Sequence, residues 1–361
     1  MKAQASQLDL SGQDIYVGID VHLTSWTVSI YTAHLEHKTF RQDPRPEALI
    51  RYLKRNFPGA HYHGVYEAGY SGFWIHDALT AGGIDMIVIN PADVPTTDKE
   101  RSVKHDPVDA RKLARALRAG LLRPIYVPSR EAIEDRQLVR TRSRLIGKQT
   151  RVKNQIKALV RHFGIGIPPE FERRHWSREF MAWLGSLTTP GEGMQYQSGA
   201  VALALLLDEL HGLRSQVLSA TRAIRRLART ERYRRRVEHL ITLKGIGVVS
   251  AMILLTELVD IDRFRSLDHL ASFVGLVPGK RASGESDPTQ HLTHRRSSPL
   301  RYILIESAWV AARKDPALNR DFERLAGRMK KTDAIIRIAR KQLRRIRFVL
   351  RNEMPYVPLP A

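Results

Sequence analysis

Two acids one helical turn apart open the stretch Lys104-His105-Asp106-Pro107-Val108-Asp109-Ala110-Arg111-Lys112-Leu113. Pro107 suits the first position of a helix, where its missing N–H leaves nothing unpaired, so Asp106 falls at the N-cap and Asp109 one turn in. Such a pair can cap the helix and face the positive end of its dipole. It can equally take part in a cation site. Two further acids close apolar runs upstream: Asp20 ends Ile15-Tyr16-Val17-Gly18-Ile19-Asp20, and Glu67 ends His63-Gly64-Val65-Tyr66-Glu67. Each alone reads as a strand-end acid before a turn. Gathered by a fold, four carboxylates repel one another and, unless some stay protonated, require hard cations, for which oxygen donors select Mg²⁺ or Mn²⁺. Two such ions about 3.5–4 Å apart can stabilise the attacking and leaving oxygens of a phosphoryl transfer. Ser283 lies beside Gly284 in the basic loop Leu276 to Glu285, with no histidine base at recognisable spacing, so on its own it reads as a turn residue.

The elements needed to position these acids follow from periodicity. Residues Met1 to Gln13 read as a loose tail. Strands are expected at Ile15 to Asp20, Trp26 to Tyr31 and near Lys38 to Phe40, then a helix Pro46 to Phe57, a strand His63 to Glu67, a helix Gly72 to Ala81 and a strand Asp85 to Asn90. A polar loop, Pro95 to His105, leads to the helix from Asp106, with Leu113, Ala114 and Leu117 inward, and Leu122 to Val127 suggests an edge strand. This order is that of a ribonuclease H-like or RuvC-like α/β domain. In that fold the first strand, the end of the fourth and the last helix converge, which would bring Asp20, Glu67, Asp106 and Asp109 into one cleft.

From Glu131 to Phe163 the period changes. Leu138, Leu145, Val152 and Leu159 alternate with Arg142, Gln149, Ile156 and Phe163 in a seam, and a second seam runs Leu203, Leu206, Leu210, Leu213, Val217, Ala220, Ile224, Leu227. The glycines and prolines between Gly164 and Ser198 let the chain reverse, so an antiparallel coiled-coil hairpin is expected, within one chain or between copies. Leu240 to Ala251 contains Lys244-Gly245-Ile246-Gly247. It resembles a helix-hairpin-helix element, whose backbone N–H groups can meet a phosphate; a glycine demanded by helix–helix packing is the alternative. Helical patterns follow at Phe264 to Gly275, Pro299 to Ala312 and Thr332 to Asn352. The implied division is residues 1–128, an α/β domain; 129–238, the coiled-coil hairpin; and 239–361, an all-α C-terminal domain.

The 361-residue chain carries 59 Lys+Arg against 37 Asp+Glu, a formal charge of +22, which points to a polyanion and first to nucleic acid. Neither an N-terminal apolar signal region nor a membrane-length apolar run is present; the longest run, Ala200 to Leu207, is short. No membrane partner is expected. The absence of cysteine excludes disulfides and thiolate zinc sites and fits the cytoplasm. His61-x-His63 and His291-x-x-His294 have ligand-like spacing but lack companion ligands.

Taken together, Gly18-Ile19-Asp20-Val21-His22, Tyr66-Glu67-Ala68-Gly69, the Asp106/Asp109 pair, the central seams, Lys244-Gly245-Ile246-Gly247, Phe273-Val274-Gly275-Leu276-Val277-Pro278 and Ser283-Gly284 resemble the DEDD transposases of insertion-sequence family 110 over nearly the whole chain. The resemblance implies a RuvC-like domain whose Asp20, Glu67, Asp106 and Asp109 hold Mg²⁺ (or Mn²⁺), and a C-terminal domain whose Ser283 attacks the scissile phosphate and leaves a phosphoserine–DNA intermediate. It implies target and donor DNA as substrates, a noncoding bridge RNA that pairs with both, and homodimers assembling into tetramers. Lys244, Gly245, Gly247, Lys280, Arg281, Arg295, Arg296 and Arg301 are the candidate nucleic-acid contacts. Relatives carry Thr-Lys-x-Gly before Leu-Arg where this chain has Thr293-His294-Arg295-Arg296 before Leu300-Arg301, which bears on the local loop. Two other readings stay open: a RuvC-like junction nuclease that uses activated water, and a basic RNA-binding scaffold whose acids only cap helices.

Overall fold

A computed structural model describes residues 11–94, 106–172, 176–189, 196–277, 292–293 and 297–357, without the side chains of Asp106 and Glu172. The chain divides into two compact units, Met1–Pro128 and Ser129–Ala361.

The first unit is built on a mixed five-stranded sheet, compatible with a ribonuclease H-like fold. Its strands are β1 (Asp14–Val21), β2 (Trp26–Tyr31), β3 (Glu36–Gln42), β4 (His61–Glu67) and β5 (Ile84–Ile89), in the spatial order β3-β2-β1-β4-β5. The first three form an antiparallel meander, as their short connections dictate, while β4 and β5 add in parallel to β1 through helical crossovers. Alternation along β1 assigns the two faces. Ile15, Val17 and Ile19 are fully buried on the face covered by α1 (Pro46–Asn56) and α2 (Trp74–Ala81), whose Leu49, Leu53, Ile75 and Leu79 complete that core. Gly18 and Asp20 belong to the opposite face. There Val65 and Ile89 pack with Leu113 of α3 (Asp106–Arg118). α3 lies directly on the strand at Gly18, where a Cβ would stand 2.2 Å from the Ala110 carbonyl oxygen and 2.5 Å from the Ala114 nitrogen. The edge strand expected at Leu122 to Val127 reduces to a single bridge between Ile89 and Pro124, because Pro124 and Pro128 cannot donate to a ladder.

The second unit is helical in its described residues. α4 (Arg130–His162) and α7 (Gln197–Leu227) are long partners. They run antiparallel: Val139 shares a cluster with Ile224 at one end, Arg142 Nε donates to Thr221 Oγ1 (2.8 Å), and Val152, Ile156 and Val160 meet Leu203, Leu207 and Leu210 at the other. Of the expected seam, Val152, Ile156, Leu203, Leu210, Leu213 and Ile224 are buried, whereas Phe163 is 52% exposed beyond the helix end. Between them, α5 (Pro169–Glu172) and α6 (Arg178–Ser186) close the far end with Phe171, Trp176, Phe180 and Trp183.

The remaining helices are α8 (Glu231–Leu240), α9 (Val248–Leu258), α10 (Leu267–Val274), α11 (Ser298–Lys314), α12 (Pro316–Ala326) and α13 (Lys331–Asn352). α9 is the centre of their core, buried from Ala251 to Leu258. Its one buried carboxylate, Glu257, accepts two hydrogen bonds from Arg140 of α4 at 2.6 and 2.8 Å. The pairing raises the Arg140 pKa further above its ordinary value. No helix among the described residues is long and apolar enough to cross a membrane.

Candidate active site

The acids of the first unit are positioned by register. β1 and β4 pair in parallel with Gly18 opposite Val65 and Ile19 opposite Tyr66, so Asp20 and Glu67 are neighbours one residue further on, at the C-terminal ends of both strands. Both fall on the face that α3 covers.

The direction of α3 is fixed by two arginines. Arg111 Nε donates to Glu36 Oε1 (2.8 Å) and Thr39 Oγ1 (3.1 Å), and Arg115 Nε to the Tyr31 hydroxyl (2.9 Å). Thr39 is level with Ser29 and therefore with Gly18, while Tyr31 is level with Tyr16. α3 thus descends against β1, and its first turn, with Asp106 and Asp109, lies toward the Asp20 end.

Asp20 is 22% exposed at its side chain and accepts from His22 Nε2 at 3.1 Å. Asp109 is half-buried and Glu67 exposed. The acids at this edge offer carboxylate oxygens, the donor type that suits a hard divalent cation. Among the described residues, however, no three His, Cys, Asp or Glu groups close into a metal-holding cluster. The side chain of the fourth acid, Asp106, is outside them.

The loop after Glu67 is tied down locally. Buried Tyr66 donates its hydroxyl to the Gly72 carbonyl at 2.9 Å, and burial pushes that phenol up to about 12. The Tyr70 hydroxyl donates to the Val21 carbonyl at 3.3 Å. Sequence reasoning passed over Glu36. Burial alone would raise its pKa, yet hydrogen bonds from Thr39, Tyr31 and Arg111 hold it below the usual glutamate value. Its signal, an acid in a polar strand with arginines on a later helix, becomes legible only once β3 and α3 are known to meet. The His61-x-His63 pair belongs to the other end of the sheet. His63 there lies between Asp14 (2.9 Å) and Asp85 (3.4 Å) and stacks on Tyr16.

In the second unit Gly245 has φ +90°, and a Cβ there would stand 2.3 Å from the Ser307 carbonyl oxygen. Helix packing therefore demands this glycine. Lys244 is exposed, with its carbonyl accepting from Gln342 Nε2 (2.8 Å). Gly247 caps α9 in open space. Ser283, Lys280, Arg281, Arg295, Arg296, His291 and His294 lie outside the described residues. The segment that carries Ser283 leaves and returns at one place: the Thr293 N–H donates to the Val277 carbonyl at 3.1 Å. Arg301, expected at nucleic acid, donates to the Gly275 carbonyl from Nε (2.9 Å) and to the Thr293 carbonyl from Nη2 (2.8 Å), and so clamps that base.

Comparison with known proteins covers both units. Residues 17–164 match a transposase model of the DEDD, IS110 type, and residues 237–323 match the model described as "Transposase IS116/IS110/IS902 family". The chain is 28% identical to "Putative transposase y4qE" of Sinorhizobium fredii over 82% of this chain and 72% of that protein. It is 26% identical to "Probable family 20 transposase" of Pseudomonas aeruginosa over 95% and 98%. It is 24% identical to the transposase for insertion sequence element IS1533 of Leptospira borgpetersenii over 82% and 84%.

Proposed function

The chain belongs to the IS116/IS110/IS902 family of transposases, and from that premise we propose that it is an RNA-guided DNA recombinase using Asp20, Glu67, Asp106, Asp109 and Ser283. Membership implies cutting and rejoining of DNA. The observation that carries the assignment of the acids is their register: Asp20 and Glu67 end adjacent parallel strands on the face where α3 begins.

In this reading the Ser283 hydroxyl gives up its proton and its oxygen forms a bond to the scissile phosphorus. The bond from phosphorus to one deoxyribose oxygen breaks, and that oxygen leaves with a proton. The DNA is left joined to the protein through phosphoserine, and reversal by a new strand end restores the serine. The four acids are the residues that would hold Mg²⁺ or Mn²⁺, which supplies neutralisation of phosphate charge and acidifies a nearby hydroxyl. Arg301, by clamping Gly275 and Thr293, positions the ends of the segment that carries the serine.

The finer organisation is part of the same proposal. Residues 129–238 act as a coiled-coil hairpin and residues 239–361 as a C-terminal transposase domain, and copies of the chain form dimers that assemble into tetramers. Lys244 and Gly247 serve as a helix-hairpin-helix contact to phosphate at the turn that Gly245 packs against α11, with Lys280, Arg281, Arg295 and Arg296 as further contacts. A bridge RNA pairing with target and donor DNA supplies sequence choice.

The test is a denaturing gel of protein with labelled donor and target DNA, the element's noncoding RNA and Mg²⁺. Wild type is expected to form a detergent-stable protein–DNA adduct and recombinant product; Ser283→Ala abolishes both. Asp20→Asn lowers cleavage about a hundred- to a thousandfold, the scale for loss of a group stabilising transition-state charge, while leaving DNA binding within twofold. Normal cleavage by Ser283→Ala with no adduct from wild type would mean hydrolysis by water. Activity unchanged by Asp20→Asn sinks the acid site.

A further inference from the structure

One face of α13 carries Arg340, Arg344, Arg347 and Arg351, at intervals of four, three and four residues, which puts all four on one side of the helix over roughly 16 Å. The two outer arginines are held: Arg340 to Asp268, and Arg351 Nε to Asp262 at 2.8 Å. The inner two are not matched by acids. Arg344 is exposed, with no ion pair among the described residues. Arg347 reaches only the Phe264 and Arg265 carbonyls from Nη2, at 3.4 and 3.5 Å, and its Nε is buried with no hydrogen-bond partner.

A merely solvated basic face has no reason to keep a dry, unpaired guanidinium N–H, nor to be concave. This one borders a cavity of about 480 Å³ walled by Asp262, Leu267, Arg344, Arg347 and Arg351. Phe348 lines the same cavity and is 53% exposed, four residues after Arg344 and three before Arg351. A phenyl ring standing open among guanidinium groups matches the two demands of an unpaired nucleic-acid strand: a flat apolar surface for a base and cations for the phosphates on either side. A duplex, with its bases stacked inside, has no use for the ring.

We propose that this face of α13 is a binding site for an unpaired nucleic-acid strand, with Phe348 stacking on one base and Arg344 and Arg347 meeting the flanking phosphates. α13 begins at Lys331, beyond the last residue matched to a family model, 323, while Asp262 and Leu267 of the same cavity fall inside the matched span. It is independent of the acid site, since its test reads binding and not cleavage.

The experiment measures fluorescence anisotropy of labelled oligothymidine, oligouridine and a DNA duplex with the full-length protein over a range of salt. Phe348→Ala, an exposed position, is expected to weaken single-strand binding about five- to a hundredfold, the scale of one stacked base. Its effect on the duplex stays within twofold, and Phe348→Trp restores the single strand. Arg344→Ala flattens the salt dependence on oligothymidine by about 0.7 in the log–log slope, one phosphate contact, whereas Lys54→Ala, on the exposed side of α1, does not. An effect shared by oligothymidine and oligouridine means that the site takes either sugar; an effect confined to one identifies the strand as DNA or RNA. Single-strand binding unchanged by Phe348→Ala, or equal losses for single strand and duplex, overturns the proposal.

Discussion

The two units differ in charge far more than in size. Residues 1–128 hold 15 Lys+Arg against 14 Asp+Glu, and residues 129–361 hold 44 against 23, so nearly the whole excess of the chain resides in the helical unit. The nearly neutral sheet unit has its acids at strand ends, where backbone register fixes their spacing. The helical unit spreads arginines along exposed faces, where a long flexible side chain can follow a phosphate but fixes little. On the proposed reading, counterion release makes the second unit the source of affinity for nucleic acid, and the first is left with the demand for precision. An acid set in a strongly basic sheet would be neutralised by its neighbours instead of presented to a cation.

Both units nevertheless seat a helix on backbone through a single glycine, and substitution there separates the two most sharply. Gly245→Ala is expected to be the more damaging, at about 3–5 kcal/mol, because it adds strain at φ +90° to a Cβ 2.3 Å from the Ser307 oxygen. Denaturant unfolding followed by helical circular dichroism measures it, and a loss below about 1 kcal/mol would show that α11 simply moves aside. Gly18→Ala meets the same overpacking without backbone strain, so about 3 kcal/mol is expected, with an additional effect that Gly245→Ala lacks. Lifting α3 from β1 carries the first turn of α3 away from Asp20, so DNA cleavage falls by more than the unfolded fraction explains. Cleavage that tracks the folded fraction alone would break the link between the Gly18 contact and the site.

How far the sequence anticipates this arrangement depends on how many apolar residues an element buries. β1, β2, β4 and β5 are legible because each carries an apolar run that the sheet buries, in β2 along its whole length, and α3 because Asp106-Pro107 marks its start. α6, α8 and α12 escape notice for the opposite reason. Phe180 and Leu184 are the buried residues of α6, Tyr233, Val237 and Leu240 those of α8, and Leu318 alone that of α12, too few to impose a period on sequences dominated by charge. Local caps start two of them: Ser177 accepts from the Phe180 N–H at α6 and Asp315 from the Leu318 N–H at α12. The acids at Asp20 and Glu67 are readable as strand ends, but their adjacency is a matter of parallel register between distant segments. Phe348 offers no signal at all until the helix is seen to leave it outside.

Arg140 tests whether arginine in the basic unit always serves a ligand. It does not here: Glu257 is 4% exposed at its side chain and Arg140 is its partner. Arg140→Met strands that carboxylate, at about 2 kcal/mol, less than for a fully buried pair because the arginine itself is 36% exposed. Nucleic-acid binding by the folded variant should change by no more than the loss of one distant charge. If binding collapses while stability holds, Arg140 belongs to the interface and the contrast between held and offered arginines fails.

Glu36 supplies the mildest effect and the one with a pH signature. It ties β3 to α3 through Arg111, Thr39 and Tyr31, partly in solvent, so Glu36→Gln is expected to lower stability by about 0.5–1 kcal/mol at neutral pH. Because the folded state holds the Glu36 carboxyl below the usual range, its contribution is complete above the unfolded value of about 4.3. It is lost as pH falls through the lower folded value. The difference between wild type and Glu36→Gln, measured by denaturant unfolding, should therefore be flat from pH 8 to about 5 and close below about pH 4. A difference that persists undiminished at about pH 3 would mean that the glutamine disturbs packing instead of removing a charge. The sheet unit would then owe the seating of α3 to the Gly18 contact alone.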